Sequence, residues 1–364
     1  MKAHQVLKAS MAGPADTDAV ESEIDAQGVD LERVRAVMCM TEGDGLARGY
    51  ASLAFSNLYH HRLGWDVHEV PRRVPLIMIG GCSGLVSPYA ALFVEEPSFE
   101  GESDDPGLAI GITTTPDVDI EAFGTVAMVD MVADAVRTAM DEAAIGSAED
   151  IHCVQIKAPW PTTADLLRAQ AGGKRVATLD GDRAGALARG AGALGVAVAL
   201  GEVDRAALAD ADIATDLDLR SNVASASAGT ERTDVAVLVL GNSRRSRSPH
   251  RIGHGVLAEG IDVAGVYRAL ASAGIEIDSP LPMGDGNPVD HVFVKSAVDL
   301  GGTCRGRRHV LKTDYLGPYS WLIAKAVVHA TVAGIVGDPM MQVSGGGEHQ
   351  GPVGGGLVAV VARK

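Results

Sequence analysis

Two serines stand on glycine-rich turns that follow apolar stretches: Ser227 in S-A-S-A-G-T-E and Ser344 in V-S-G-G-G-E. A serine so placed has an accessible hydroxyl beside backbone N–H groups able to hold an oxyanion. Two further apolar segments end in lysine, I-H-C-V-Q-I-K at Lys157 and V-D-H-V-F-V-K at Lys295. A lysine becomes a usable base when desolvation or neighbouring cations depress its pKa. Arg48 and Arg189, in A-R-G-Y-A and A-R-G-A-G, each offer a rigid fork for a carbonyl or imide oxygen. Serine, lysine and arginine together describe acyl transfer at an amide carbonyl. Each residue alone has a plainer reading: Ser227 as a turn or N-cap serine, Lys157 as a strand-end surface lysine.

Recurrence sets the plainer reading aside, and it involves the elements that must position these groups. Apolar strand-like runs cover Val34–Cys39, Val74–Ile79, Leu108–Thr113, Ile151–Ile156, Val235–Leu240, Val289–Val294, Met340–Val343 and Leu357–Val361. Helix-period stretches cover Gly124–Ala144, Arg183–Leu200, Val263–Ala273 and Ser320–Val336. An echo recurs three times at a spacing of roughly 110–140 residues. V-R-A-V-M-C-M, I-H-C-V-Q-I-K and V-D-H-V-F-V-K end at Met40, Lys157 and Lys295. Small-residue helices follow, carrying Arg48, Arg189 and Lys325, and then the turns at Ile79, Ser227 and Ser344. GLAIGITTT, DVAVLVLG and GLVAVVA are read as the strands that close each unit. The expected fold is α+β: three similar repeat units around a pseudo-threefold axis, forming a barrel-like single assembly. The units are placed at residues 1–105, 106–248 and 249–364, with Phe99–Pro106 and Leu240–Arg251 as solvated linkers.

The chain has 364 residues and a formal charge of −16, which argues against a nucleic-acid partner. Aromatic residues are 4% and glycines number 44, so the core must be built from Ala, Val, Leu and Ile with tight turns. Charged content of 21% excludes a largely disordered chain. No apolar run is read as long enough to span a bilayer, and the start MKAHQVLKASMAGPAD lacks a signal-peptide h-region. The expectation is a cytoplasmic protein with no membrane partner. Cys39, Cys82, Cys153 and Cys304 form no C-x-x-C pair, so each is expected to be a small buried or half-buried side chain.

Across nearly its whole length the sequence resembles the ring-opening cyclic amide hydrolases, the cyanuric acid hydrolase and barbiturase family. The resemblance is carried by T-E-G-D-G, Q-I-K-A-P, A-R-G-A-G-A-L-G-V-A-V-A-L-G-E, S-A-S-A-G-T-E, H-R-I-G, R-G-R-R-H and S-G-G-G-E-H-Q-G-P-V-G-G-G. It implies a hydrolase acting on C–N bonds of small heterocycles, with an axial site, no catalytic cofactor and a homotetrameric state. It implies Ser227 as nucleophile and Lys157 as base, from the second unit. Arg48, Arg189, Ala228, Ser344 and Gly345 are implied as substrate-binding, and by repeat Lys295, Lys325, Gly80, Ile79 and Met40 join them. It also implies a structural Mg²⁺ or Ca²⁺ at Gly347, Gln350, Gly351, Pro352 and Gly355. The acidic ligand that should follow the third-unit lysine is missing, since Ser296, Ala297 and Val298 stand there.

Other departures bear on substrate. In the first unit Met40 and Ile79 replace lysine and serine and Ser83 replaces the turn glutamate; in the third, Lys325 replaces arginine. Cyanuric acid presents the same imide face three times, so an apolar third of the ring disfavours it. A barbiturate, pyrimidine-dione or cyclic imide fits better. The alternative is a homologue with altered catalysis, which binds a heterocycle or closes a ring in biosynthesis. Rival sites are weaker. G-G-C-S-G at 80–84 matches a nucleophile elbow with Cys82, for which His60, His61 or His309 would be the base. Gly43, Gly45 and Gly49 lack the Lys-Ser/Thr of a phosphate loop. His250, His254 and His349 read as hydrogen-bonded structural groups rather than metal ligands.

Overall fold

The computed structural model describes residues 2–43, 45–96, 104–284, 286–297 and 302–364. The first unit runs β1 (Ala3–Ser10), α1 (Thr17–Gln27), β2 (Val34–Met40), α2 (Gly45–Leu63), α3 (Val70–Arg73), β3 (Leu76–Ile79) and β4 (Tyr89–Glu96). The second runs β5 (Gly107–Thr114), α4 (Val126–Glu142), β6 (Ile151–Pro159), α5 (Thr163–Ala171), α6 (Gly181–Ala199), β7 (Ala224–Gly229) and β8 (Ala236–Ser243). The third runs β9 (His250–Leu257), α7 (Val263–Ser272), β10 (Val289–Lys295), the short β11 (Thr303–Cys304) and β12 (Arg307–Arg308), α8 (Ser320–Val336), β13 (Gln342–Ser344) and β14 (Gly356–Arg363).

The three four-stranded sheets have one topology: β1-β4-β2-β3, β5-β8-β6-β7 and β9-β14-β10-β13. In each, the one parallel pair among the described residues is bridged by a helical crossover, as a parallel connection requires. The register of that pair sets Met40 opposite Ile79, Lys157 opposite Ser227, and Lys295 opposite Ser344. A ladder irregularity recurs at the start of β2, β6 and β10, at Val34/Ala36, Ile151/Cys153 and Val289/His291. The repeat is therefore structural as well as sequential. The three sheets stay separate, so the expected barrel-like closure is corrected to three sheets packed by their faces. Among the described residues no closed barrel forms, because each sheet meets the others through side chains and not through a shared ladder.

Strand alternation assigns the faces. In β2, Val37 and Cys39 join the core under α1 and α2, while Ala36, Met38 and Met40 point into a cluster shared by all three sheets. In β6, Val154, Ile156 and Ala158 lie under α4 and α6, and Cys153 faces the shared centre. Lys157 shares the face of Cys153, so it is directed to the centre and is 1% exposed. The surface-lysine reading is thereby excluded.

Three readings change. GLAIGITT is β5, the opening strand of the second unit, and the strand that closes the first is Tyr89–Glu96. Both are apolar strands with no positional mark, and only pairing separates them. Of the Phe99–Pro106 stretch, residues 99–103 lie outside the described residues. Leu240–Arg251 is more than a solvated linker. Ser246 and Ser248 are buried there, with their hydroxyls donating to Leu108 O and His4 O, while the arginines 244, 245 and 247 face outward. Gly317–Val336, of mean hydropathy 1.4, is long and apolar enough to cross a membrane by length and composition, contrary to the sequence reading. It contains α8, whose buried face carries Lys325 and His329.

Candidate active site

Glycine content explains how α6 delivers Arg189. A Cβ at Gly195 would stand 2.5 Å from Val132 Cβ, and one at Gly192 would stand 2.9 Å from Ile156 Cγ2. The helix can thus lie close on α4 and β6. The turns after β7 and β13 are built similarly. A Cβ at Gly229 would overlap the Glu231 carboxylate at 2.2 Å, and one at Gly346, where φ is +79°, would meet Arg189 Nε at 2.4 Å. These two glycines let a folded-back carboxylate and an arginine occupy the space beside the serines.

The charged groups form a ring that passes from unit to unit. Arg48 of the first unit lies 3.6 Å from Glu231 on the second turn. Arg189 of the second holds Glu348 on the third turn through two hydrogen bonds, from Nε and Nη2, each 2.8 Å. Lys325 of the third returns to the first turn, donating to Gly81 O at 2.6 Å and Gly80 O at 3.2 Å, where Ser83 has replaced the glutamate. The strand-end lysines reach the opposite way round. Lys157 donates to Met78 O and Lys295 to Ala226 O, both at 2.6 Å, the carbonyls just before Ile79 and Ser227.

Within this frame the two serine-lysine pairs differ. Lys157 Nζ also lies 2.8 Å from Glu231 Oε1 and 3.4 Å from Ala228 O, and the Ser227 hydroxyl donates to Ile156 O at 3.3 Å. Lys295 Nζ lies 3.0 Å from Ser344 Oγ and donates to Gly345 O at 2.8 Å. Met40 and Ile79 occupy the corresponding first-unit positions and are buried. Arg48, by contrast with Arg189, has a buried Nε without a hydrogen-bond partner, and it faces the Glu231 carboxylate at 3.6 Å.

Burial governs the electrostatics. It pushes Lys295 well below the usual lysine value, helped by Arg189, Lys325 and Lys157 and opposed by Glu348. Lys157 is lowered by burial, with Glu231 opposing and Arg48 and Arg232 assisting. Lys325 is brought to about 8 by burial, which the nearby Cys82 partly offsets. Burial would raise Glu231, yet Lys157 and Arg48 hold it below the usual carboxylate value. Cys82 is pushed up to about 11 by burial, so it is a thiol at neutral pH and a poor nucleophile.

Two of the three proposed bases for Cys82 are occupied elsewhere: His60 Nδ1 bonds Trp65 O, and His309 Nδ1 accepts from Leu311 N. His349 is structural, between Leu219 O and Ala214 N, His250 pairs with Asp290, and His254 pairs with His152. The site also includes residues that the sequence reading does not single out. Trp160 and Trp321 lie under the cations Arg189 and Lys325, each 5.9 Å from the charged atom. Glu348 is the Arg189 clamp. The glutamates are marked in sequence by equal spacing from their serines, whereas the tryptophans carry no such mark.

A match to the family described as amidohydrolase ring-opening protein covers residues 5–363. A cyclic amide hydrolase of Rhodococcus sp is 59% identical over 97% of this chain and 100% of that protein. One of Azorhizobium caulinodans is 40% identical over 98% of this chain and 99% of its own length. The chain belongs to the ring-opening amidohydrolase family. A solved cyanuric acid hydrolase, described as an evolutionary innovation by structural concatenation, superposes with a TM-score of 0.93 at 36% identity, covering 100% of both chains. That of A. caulinodans gives 0.90 at 38% identity, covering 100% of this chain and 99% of the other. The family relation spans all three units, including the one whose lysine and serine have become apolar.

The implied metal site fits its residues poorly. The Gly347 and Pro352 carbonyls already accept from Gln350 N and Gly355 N, and Gln350 Oε1 accepts from Ala226 N. Gly351 N donates to Ser221 O. A Cβ on Gly347 would meet the Ala297 methyl at 2.3 Å, so a methyl packs where an acidic side chain would approach; Val298 lies outside the described residues. The donors are neutral, whereas Mg²⁺ and Ca²⁺ favour carboxylates. No step is routed through a metal.

Proposed function

We propose that this chain hydrolyses an unsymmetrical cyclic amide or imide with a carbon-bearing edge, by serine attack on a ring carbonyl with a buried lysine as base. The coarser part rests on the family: a hydrolase that opens cyclic amides at a C–N bond. The finer part rests on one observation, the in-register pair Met40–Ile79 standing where the other units have lysine and serine. An imide edge turned to that wall would leave a buried polar group unpaired, at about 1–3 kcal/mol. A methylene or alkyl edge would not. Lys325 supports the same reading, since an ammonium follows an off-centre oxygen but cannot hold two acceptors in one plane.

Two intact pairs, Ser227–Lys157 and Ser344–Lys295, carry the parts for covalent chemistry, with backbone N–H groups of their turns to hold the oxyanion. Arg48 and Arg189 orient the remaining polar edges. That retention favours catalysis over a binding-only homologue. The test is kcat/KM on cyanuric acid, barbituric acid, a dihydropyrimidine-dione and a simple cyclic imide. A carbon-bearing ring is expected to be preferred by at least about tenfold, equivalent to about 1.4 kcal/mol. Binding of these rings without turnover of any would support the alternative homologue instead.

A further inference from the structure

We infer that Trp321 sets a size limit on the carbon-bearing edge of the substrate, so that the ring taken is one whose edge toward the first unit is a bare methylene or C–H and carries no alkyl group. The inference rests on the unsymmetrical ring proposed above and goes beyond it by stating what that edge can hold. Trp321 stands four residues before Lys325 on α8, so the two side chains share one face of the helix, the face that turns to the centre. A Cβ at Gly81 would stand 3.1 Å from Trp321 Cη2, and one at Gly345 would stand 3.5 Å from its Cε3. The six-membered ring of the indole is therefore wedged between the first-unit turn, just after Ile79, and the third-unit turn, just after Ser344. The Lys325 ammonium, 5.9 Å from the indole, donates to Gly80 O and Gly81 O beside it.

These groups close the sector to which the proposed ring turns its carbon edge. Met40 is wholly buried and Ile79 is 6% exposed, so the wall behind that edge is filled and a substituent cannot sink into it. An alkyl group would have to leave along the wall, through the gap between the first and third turns, and the indole stands in that gap. Trp321 is nonetheless 46% exposed. A side chain on the centre-facing side of its helix that stays half open to solvent lines the mouth of the site. Its seat is fixed by backbone, because Gly81 has φ +76° and a side chain there would be strained as well as driven against the indole.

The second unit places an indole at the matching spot by a different route. Where Trp321 precedes Lys325 by four residues, α6 has Gly185 four before Arg189, and a Cβ there would stand 2.7 Å from Trp160 Cε2 and Cζ2. Trp160 follows β6, and its Nε1 donates to Gly181 O at 2.7 Å, with Arg189 5.9 Å from its ring. Two unrelated chain positions thus bring the same bulk beside a helical cation. What the two indoles adjoin differs. Trp160 lies by the polar clamp of Arg189 on Glu348, whereas Trp321 lies by the turn that carries Ile79. Of the two, Trp321 is the one placed to meet carbon.

The experiment measures kcat/KM on cyanuric acid, barbituric acid, its 5-methyl and 5-ethyl derivatives and its 1-methyl derivative, for wild type, Trp321→Phe and Trp321→Ala, with thermal melts to confirm folding. A closed apolar wall discriminates one methylene by about 10- to 200-fold, so the wild type should lose at least about tenfold on the 5-methyl ring and more on the 5-ethyl ring. Trp321→Ala should bring both 5-alkyl rings to within about threefold of barbituric acid, and Trp321→Phe, which keeps a smaller ring, should fall between. Rejection of the 1-methyl ring, whose methyl sits on a polar edge, should persist in both variants, which separates a limit at one edge from a general loosening. Should Trp321→Ala fail to fold, the same ratio in Trp321→Phe decides. A 5-alkyl to barbituric acid ratio that neither variant raises, or a wild type that opens the 5-alkyl rings as fast as barbituric acid, would overturn the size limit while leaving the carbon-bearing ring standing. Cyanuric acid opened by the wild type as efficiently as barbituric acid would overturn the proposed ring, and the size limit with it.

Discussion

Restoring the polar character of the first unit should widen substrate use toward the symmetric ring, and the structure says by which contacts. The perturbation is the double substitution Met40→Lys with Ile79→Ser. The strand-end lysines each reach the carbonyl before the preceding unit's turn residue, Met78 O for Lys157 and Ala226 O for Lys295. By that rotation a lysine at 40 would meet Val343 O. Its other partners would be the new hydroxyl at 79 and Gly80 O, matching Ser344 Oγ and Gly345 O around Lys295. Gly80 O already accepts from Lys325 at 3.2 Å, but Lys325 keeps its shorter bond to Gly81 O. The hydroxyl at 79 would then face the third imide edge. Pairing one buried polar group is worth about 1–3 kcal/mol, or about 5- to 150-fold in kcat/KM for cyanuric acid. Met40→Lys alone lacks the hydroxyl partner and should lower thermal stability with no such gain, so the two changes should be non-additive. The assay is kcat/KM on cyanuric and barbituric acids for wild type, both single variants and the double. Cyanuric acid turned over by the wild type as well as any carbon-bearing ring would refute the reasoning, since Met40 and Ile79 would then not line the pocket.

Three more outcomes follow from the same geometry. Lys325 loses its charge above a pKa of about 8, so the wild-type KM should rise above that pH; Lys325→Arg, always charged, should remove the rise. Lys295→Met copies what Met40 already is in the first unit, and it should raise KM for the preferred ring more than it lowers kcat. Because the folded-state pKa of Lys295 is lowered, protonation costs stability between that pKa and the ordinary lysine value. Lys295→Met should therefore match or exceed the wild-type melting temperature at neutral pH, with the wild type gaining on it as pH rises toward about 10.4. Cys82→Ala should leave kcat within a few-fold of wild type, measured on the preferred ring, since a thiol near 11 takes no nucleophilic part.

The threefold echo, the serines, the strand-end lysines and the helical cations are all legible in the chain. So is the loss of polar character at Met40 and Ile79. Each is a local property: strand period sets which face a side chain takes, and turn glycines mark where a strand ends. Sequence placed GLAIGITTT at the end of the first unit because an apolar strand looks the same whether it opens a sheet or closes one. Only the pairing of β5 with β8 decides that. The state of the two lysines was equally out of reach. Lys157 and Lys295 have like surroundings along the chain, but their decisive partners lie on other turns: Glu231 beside Lys157, and an Arg189 clamp that draws Glu348 off Lys295. Local pattern fixes a residue's face and position. Its protonation depends on which acceptors the fold brings within about 3 Å, and tertiary packing alone sets those.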